Sequence, residues 1–202
     1  MNMLKIIAGL GLGAVTSFTQ AVVIYDESVN GDLPGNRLAP TLLNANLGSN
    51  EVIGSMNRDI DIEYFTVVVQ QGHQLDALVA AELVAPDGRS FIGVQGGSQF
   101  TVTPATVQAS DLLGYAHFGF QEGNIGTNIL DDMGSGFGAQ GFTGPLSTGS
   151  YTFWLQNIND IANYRLDFQI TAAVPEPSEN AMLLAGIAVL GAVARRRRIR
   201  FT

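Results

Sequence analysis

Between residues 22 and 173, short apolar runs rich in valine, phenylalanine, tyrosine and threonine are separated by clusters of glycine, proline and asparagine. That punctuation predicts strands at 22–25, 62–69, 75–84, 90–94, 99–102, 115–120, 150–156 and 164–171. The clearest is the last, where Tyr164, Leu166, Phe168 and Ile170 alternate with Arg165, Asp167, Gln169 and Thr171. One face of that strand must be buried and the other wet. Pro86-Asp87-Gly88 predicts a turn between two strands. A helical turn is expected at 106–113, capped by Thr106 or Ser110 and stopped by Gly114. No strands alternate with long helices, so the pattern is that of an antiparallel sandwich or barrel.

The two ends follow other rules. Lys5 precedes ten apolar residues, 6–15, and a more polar stretch with small Thr19 and Ala21 follows. Those are the three parts of a secretory signal, with cleavage by signal peptidase expected after Ala21. At the other end, Val174-Pro175-Glu176-Pro177-Ser178 cannot continue a strand or helix. Fourteen uncharged, mostly aliphatic residues (181–194) come next, closed by Arg195, Arg196, Arg197 and Arg198. As a helix they would span about 21 Å, short of the roughly 30 Å hydrocarbon core. A separate C-terminal transmembrane helix is expected here, with the arginines as a cytoplasmic stop-transfer signal. Its marginal length suits a transient anchor, and a permanent single-span anchor is the alternative.

A VPEPS motif, an apolar helix and a terminal arginine cluster resemble the PEP-CTERM sorting signal of Gram-negative bacteria. The resemblance implies recognition by an exosortase, cutting near Pro175-Glu176-Pro177, passage through the inner membrane, and release or retention at the cell exterior. It also implies a link with exopolysaccharide and biofilm material. The chain thus divides into a signal peptide (1–21), a β domain (22–173) and a sorting tail (174–202).

Inside the domain, EYFTVVVQQGHQL (63–75), APDGRS (85–90), GPLSTGSYTFWLQN (144–157) and NYRLDFQIT (163–171) resemble the bacterial pre-peptidase C-terminal domain. That likeness implies a jelly-roll-like β-sandwich with Tyr151, Phe153 and Leu155 facing one side of a sheet. It carries over scaffold motifs and no catalytic residue.

Charge and chemistry narrow the function. The whole chain has a net charge of −8 and no cysteine, so thiol nucleophiles and disulfides are excluded. Four arginines stand against sixteen acids in the central domain, giving about −12, the wrong sign for a nucleic-acid partner. The two histidines, His73 and His117, have no GxSxG or HExxH motif around them. Asp59, Asp61 and Glu63 alternate, so their carboxylates would share one strand face, where Ca²⁺ could neutralise them. The bland reading is an acidic strand start in water with Ile60, Ile62 and Tyr64 turned inward. The glycine-rich loop 122–144 offers Asn124, Asn128, Asp131 and Asp132 as a second oxygen-rich place for calcium, or is simply a flexible surface loop. Trp154 and Tyr151 suggest core first and a sugar-stacking platform second. The expectation is an exported, non-catalytic surface or matrix protein. A carbohydrate- or calcium-binding module is the alternative, and a secreted hydrolase the second.

Overall fold

The computed structural model describes residues 21–57, 60–157, 160–173 and 187. The signal stretch, the sorting motif from Val174 to Ser178, Arg195 to Arg198 and Asp59 lie outside the described residues. So does the expected 181–194 helix, Ile187 excepted. Among the described residues, no helix is long and apolar enough to cross a membrane.

The domain is a two-sheet β-sandwich. Its elements are β1 (Val22–Asp26), α1 (Glu27–Asn30), β2 (Thr41–Asn44), β3 (Gly48–Met56), β4 (Glu63–Val69), β5 (His73–Val84), β6 (Ser90–Gly96), β7 (Gly114–Phe118), α2 (Leu130–Gly134), β8 (Gly149–Asn157) and β9 (Ala162–Ala172). One sheet has the order β1-β3-β9-β5 and the other β2-β4-β8-β6-β7. Five pairings are antiparallel, as expected. The edge pairs β1–β3 and β2–β4 are parallel, which corrects the all-antiparallel expectation. The early chain crosses repeatedly between sheets, so neither edge strand is joined to its neighbour by a hairpin.

Three further expectations change. The sequence pattern predicts no strand where β2 and β3 lie. Residues 99–102 form no strand; Phe100 is instead a fully buried plug whose backbone N–H donates to Arg37 O at 2.8 Å. The Arg37 guanidinium donates in turn to the carbonyls of Phe100 (3.0 Å) and Thr101 (2.7 Å). The turn at 106–113 shrinks to a 3-10 helix, Ala109–Asp111, with Asp111 Oδ2 accepting the Gln108 N–H at 2.8 Å.

Alternation on β9 sends Leu166, Phe168 and Ile170 into the space between the sheets, where Phe65, Phe153 and Leu155 meet them. Phe168 packs edge-on to Phe65 and Phe153, at centroid distances of 5.8 and 5.1 Å. The opposite face of the larger sheet is also dry: Tyr64 and Trp154 join Phe100 and Leu112 in a second, smaller cluster. The segment 97–113 covers that face, so β4 and β8 are buried on both sides. Loop 122–144 is likewise packed: Ile129, Leu130 and Met133 are fully buried in the main core, and Asn128 Oδ1 accepts the backbone N–H groups of Leu78 and Leu130, both at 3.0 Å.

Replacing Phe168 by alanine removes the ring at the centre of both sheets. The expected cost is about 3–5 kcal/mol, read as a lower denaturation midpoint with unchanged slope in urea.

Candidate acidic site

At the end of the sandwich where β4 begins, three chain segments converge on one buried carboxylate. Asp26 caps α1: its Oδ1 accepts from the Ser28 N–H at 2.9 Å and from the Ser28 hydroxyl at 2.6 Å. The four-residue turn swings Glu27 back toward β3. There Glu27 Oε2 accepts the Ser55 N–H at 2.7 Å, and Oε1 accepts the Leu33 N–H at 3.1 Å. Leu33 is buried, and the Tyr64 N–H donates to Pro34 O at 3.1 Å, which fastens the 31–34 segment against β4. A backbone bond from Asn57 N to Asp61 O at 2.7 Å closes the β3–β4 connection and delivers Glu63 to the first position of β4.

Glu63 is therefore fully buried, and Tyr164 on β9 donates its hydroxyl to Glu63 Oε2. The other oxygen, Oε1, has no hydrogen-bond partner among the described residues. Carboxylate oxygens of Glu27, Asp32 and Glu63 lie within 4.8 Å of one another. Gly54 makes the approach possible: a Cβ there would sit 2.7 Å from both Glu27 Cδ and Tyr164 Oη. Beside the cluster an open cleft of about 560 Å³ is lined by Asp26, Glu27, Asp32, Ser55, Tyr164 and Arg165, among others.

Burial pushes the Glu63 carboxyl up to about 11, despite the opposing Tyr164 hydrogen bond, with the charge of Glu27 adding to the rise. Asp61 is raised to about 6, first by burial and then by Asp32 and Glu27. Burial and the Glu63 charge hold the Tyr164 phenol well above its ordinary value. Without a cation, the arrangement keeps Glu63 as a neutral acid at neutral pH.

The structure thus rearranges the acids singled out from sequence. Glu63 turns inward, while Ile60, expected inward, is 87% exposed. Asp61 is partly exposed near Glu27 and Asp32, close enough to feel their charge. Asp131 and Asp132 sit exposed in the first turn of α2 and are not part of the cluster. Glu27 and Asp32 were missed because only the fold brings them to Glu63. Their sequence signal is the dense polar stretch DESVNGD at 26–32. His73 opens β5, and His117 lies edge-on to Phe91 at 5.7 Å, lowered from its ordinary value by burial and then Arg89. Trp154 is 6% exposed between Phe91 (4.7 Å) and Phe100 (5.7 Å), a core position and not an open platform.

The raised carboxyls fix a sign. A carboxyl whose folded value exceeds its unfolded one binds its proton more tightly when folded, so stability is greatest below the unfolded value and falls as pH rises. Cation-free protein is expected to lose stability from about pH 5 to pH 8, at up to roughly 1.4 kcal/mol per pH unit for Glu63. Urea melts in chelator across that range check it. A flat profile, or one rising toward pH 8, contradicts the buried neutral acid.

No curated protein and no solved structure matches the chain. Residues 173–198 match the PEP-CTERM protein-sorting motif. The chain accordingly carries a PEP-CTERM sorting tail, and that motif implies export, transient anchoring in the membrane through the tail and sorting by an exosortase.

Proposed function

We propose that this protein is a non-catalytic component of the cell surface or extracellular matrix, linked to exopolysaccharide and biofilm material, whose domain is stabilised by calcium at the acidic site. Signal peptidase removes residues 1–21, and the exosortase then cuts near Pro175-Glu176-Pro177. The observation that carries the calcium reading is the buried Glu63 carboxyl, held within reach of carboxylate oxygens of Glu27 and Asp32 and with its Oε1 served by no donor. Oxygens bound to one Ca²⁺ at about 2.4 Å are at most about 4.8 Å apart, and one oxygen from each of the three carboxylates lies within that limit of the others. The set is all oxygen and anionic, the chemistry of a hard cation and not of zinc. Backbone N–H groups on Glu27 orient it without exhausting its lone pairs. The remaining places in the coordination sphere would fall to water from the open cleft. A bound cation also inverts the local titration, since it favours the ionised carboxylates that burial opposes.

Extracellular calcium modules bind Ca²⁺ at about 0.1–1 mM. At ten millimolar Ca²⁺ (~10 mM) and pH 7.5 the melting temperature is expected to rise by about 3–8 °C, reversed by EGTA. Glu63→Gln keeps the side-chain volume and a partner for Tyr164 but cannot ionise. It is expected to melt higher than the parent in EGTA and to lose most of the calcium response. A full response in that variant would move the cation elsewhere.

For the tail, mass spectrometry of protein from the native host is expected to find a C-terminus near Pro175-Glu176-Pro177. A mature chain that still carries Arg195 to Arg198 would make the segment a permanent anchor.

A further inference from the structure

Residues 22–34 are lightly fastened to the sandwich. No residue of β1 or α1 is buried, and in the whole stretch only Leu33 is. Val22, Val23 and Val29 are 50%, 48% and 79% exposed. Strand β1 is the edge of its sheet, paired in parallel with β3, and its register slips between Val23 and Tyr25. Many of the stretch's other hydrogen bonds close on itself. Asn30 Oδ1 accepts the Asp26 N–H at 3.0 Å, the Tyr25 hydroxyl donates to Gly31 O at 2.8 Å, and the Gly31 N–H donates to Glu27 O at 3.0 Å. Beyond the ladder, it is joined to the sandwich through Glu27 Oε2, which accepts the Ser55 N–H (2.7 Å) and hydroxyl (3.5 Å), and through Pro34 O, which accepts the Tyr64 N–H (3.1 Å).

The same join is where the acids meet. Residues 22–34 contain Asp26, Glu27 and Asp32 and no Lys or Arg. Glu63, on the sandwich side, heads β4, and carboxylate oxygens of Glu27 and Asp32 lie within 4.8 Å of its own. Ionised carboxylates repel at that range, and water screens the repulsion poorly around a fully buried group. Arg165 also lines the cleft, but its guanidinium lies 3.8 Å from Glu51 and 3.8 Å from Glu82. A divalent cation reverses the sign of the join. Two of its carboxylates come from the stretch and the third from β4, so binding ties one body to the other.

What the stretch covers gives that tie a consequence. In the order β1-β3-β9-β5, β3 is an inner strand only while β1 is in place. Without β1, the backbone groups of β3 lose their ladder partners on that side and present an edge open to strand addition. Leu33 would leave the main core in the same movement.

We propose that residues 22–34 are a calcium-latched strap. With the cation bound, the strap closes the edge of β3; without it, the strap opens far more often and uncovers that edge. The proposal rests on the calcium reading above and adds which part of the domain the cation controls.

The test is backbone hydrogen exchange of the purified protein, read by mass spectrometry after brief labelling in EGTA or in calcium. At ~10 mM Ca²⁺, peptides covering 22–34 are expected to exchange about ten- to a hundredfold slower than in EGTA. Peptides from β8 and β9 should stay protected in both. Asp32→Asn, which removes a ligand on the strap, is expected to lose most of the difference. Asp131→Asn, outside the cluster, should keep all of it. Protection of β8 and β9 in both variants shows that they fold. Equal exchange of 22–34 in EGTA and calcium, while a calcium titration shows the ion bound, overturns the strap and leaves the calcium site standing. A calcium effect confined to another segment, or one that Asp32→Asn leaves intact, also overturns it. If the titration shows no calcium bound, the calcium reading itself fails, and the strap with it.

Discussion

Strand β9 is bonded along its length to β3 on one side and to β5 on the other, and most of the molecule follows from that double pairing. It fixes which face of β9 is dry, so Leu166, Phe168 and Ile170 form the middle of the core. It sets β3 antiparallel to β9, and β1, lying parallel to β3, then begins at the pole where β9 ends. Near its other end it holds Tyr164 beneath Glu63. With no cysteine in the chain, nothing covalent ties these strands together, and the register must be held by packing and backbone bonding alone.

The acidic site is a consequence of that frame and also a local exception to it. Glu63 occupies an inward-facing position that an apolar side chain would fill at less cost. Its burial is tolerated because Tyr164 serves one oxygen and the neutral acid form removes the charge. Gly54 has no packing role of its own. It is the absence of a side chain there that lets Glu27 and Tyr164 close on the site.

Legibility in the sequence followed how local each cause was. Strands β4, β5, β8 and β9 alternate or run apolar within themselves, and the sequence pattern alone located them to within a few residues. Strand β3 did not show, because GSNEVIGSM reads as small and polar residues with turn-forming glycines. Gly54 looks like a turn residue and is a clearance for Glu27, 27 positions earlier in the chain. Strand β2 has four residues and a parallel partner, so no hairpin signal marks it. Residues 99–102 have strand composition, yet Arg37 claims the carbonyls of Phe100 and Thr101. For the site, the spacing of Asp59, Asp61 and Glu63 points to one of the three carboxylates that the fold brings together, Glu63. Its partners Glu27 and Asp32 come from a segment that only the parallel β1–β3 pairing brings near.

The separation of the two poles connects the parts that the sequence keeps apart. On the processing reading, a domain of about −12 is handled close to a membrane, and its charges would be opposed by anionic lipids there. The strand register sets the acidic cluster at the end of the sandwich opposite Val22 and Ala172. A carboxyl that stays neutral until a cation arrives lets the domain fold during export without an uncompensated buried charge. A cation bound there, as proposed, would add stability at the pole opposite Val22 and Ala172.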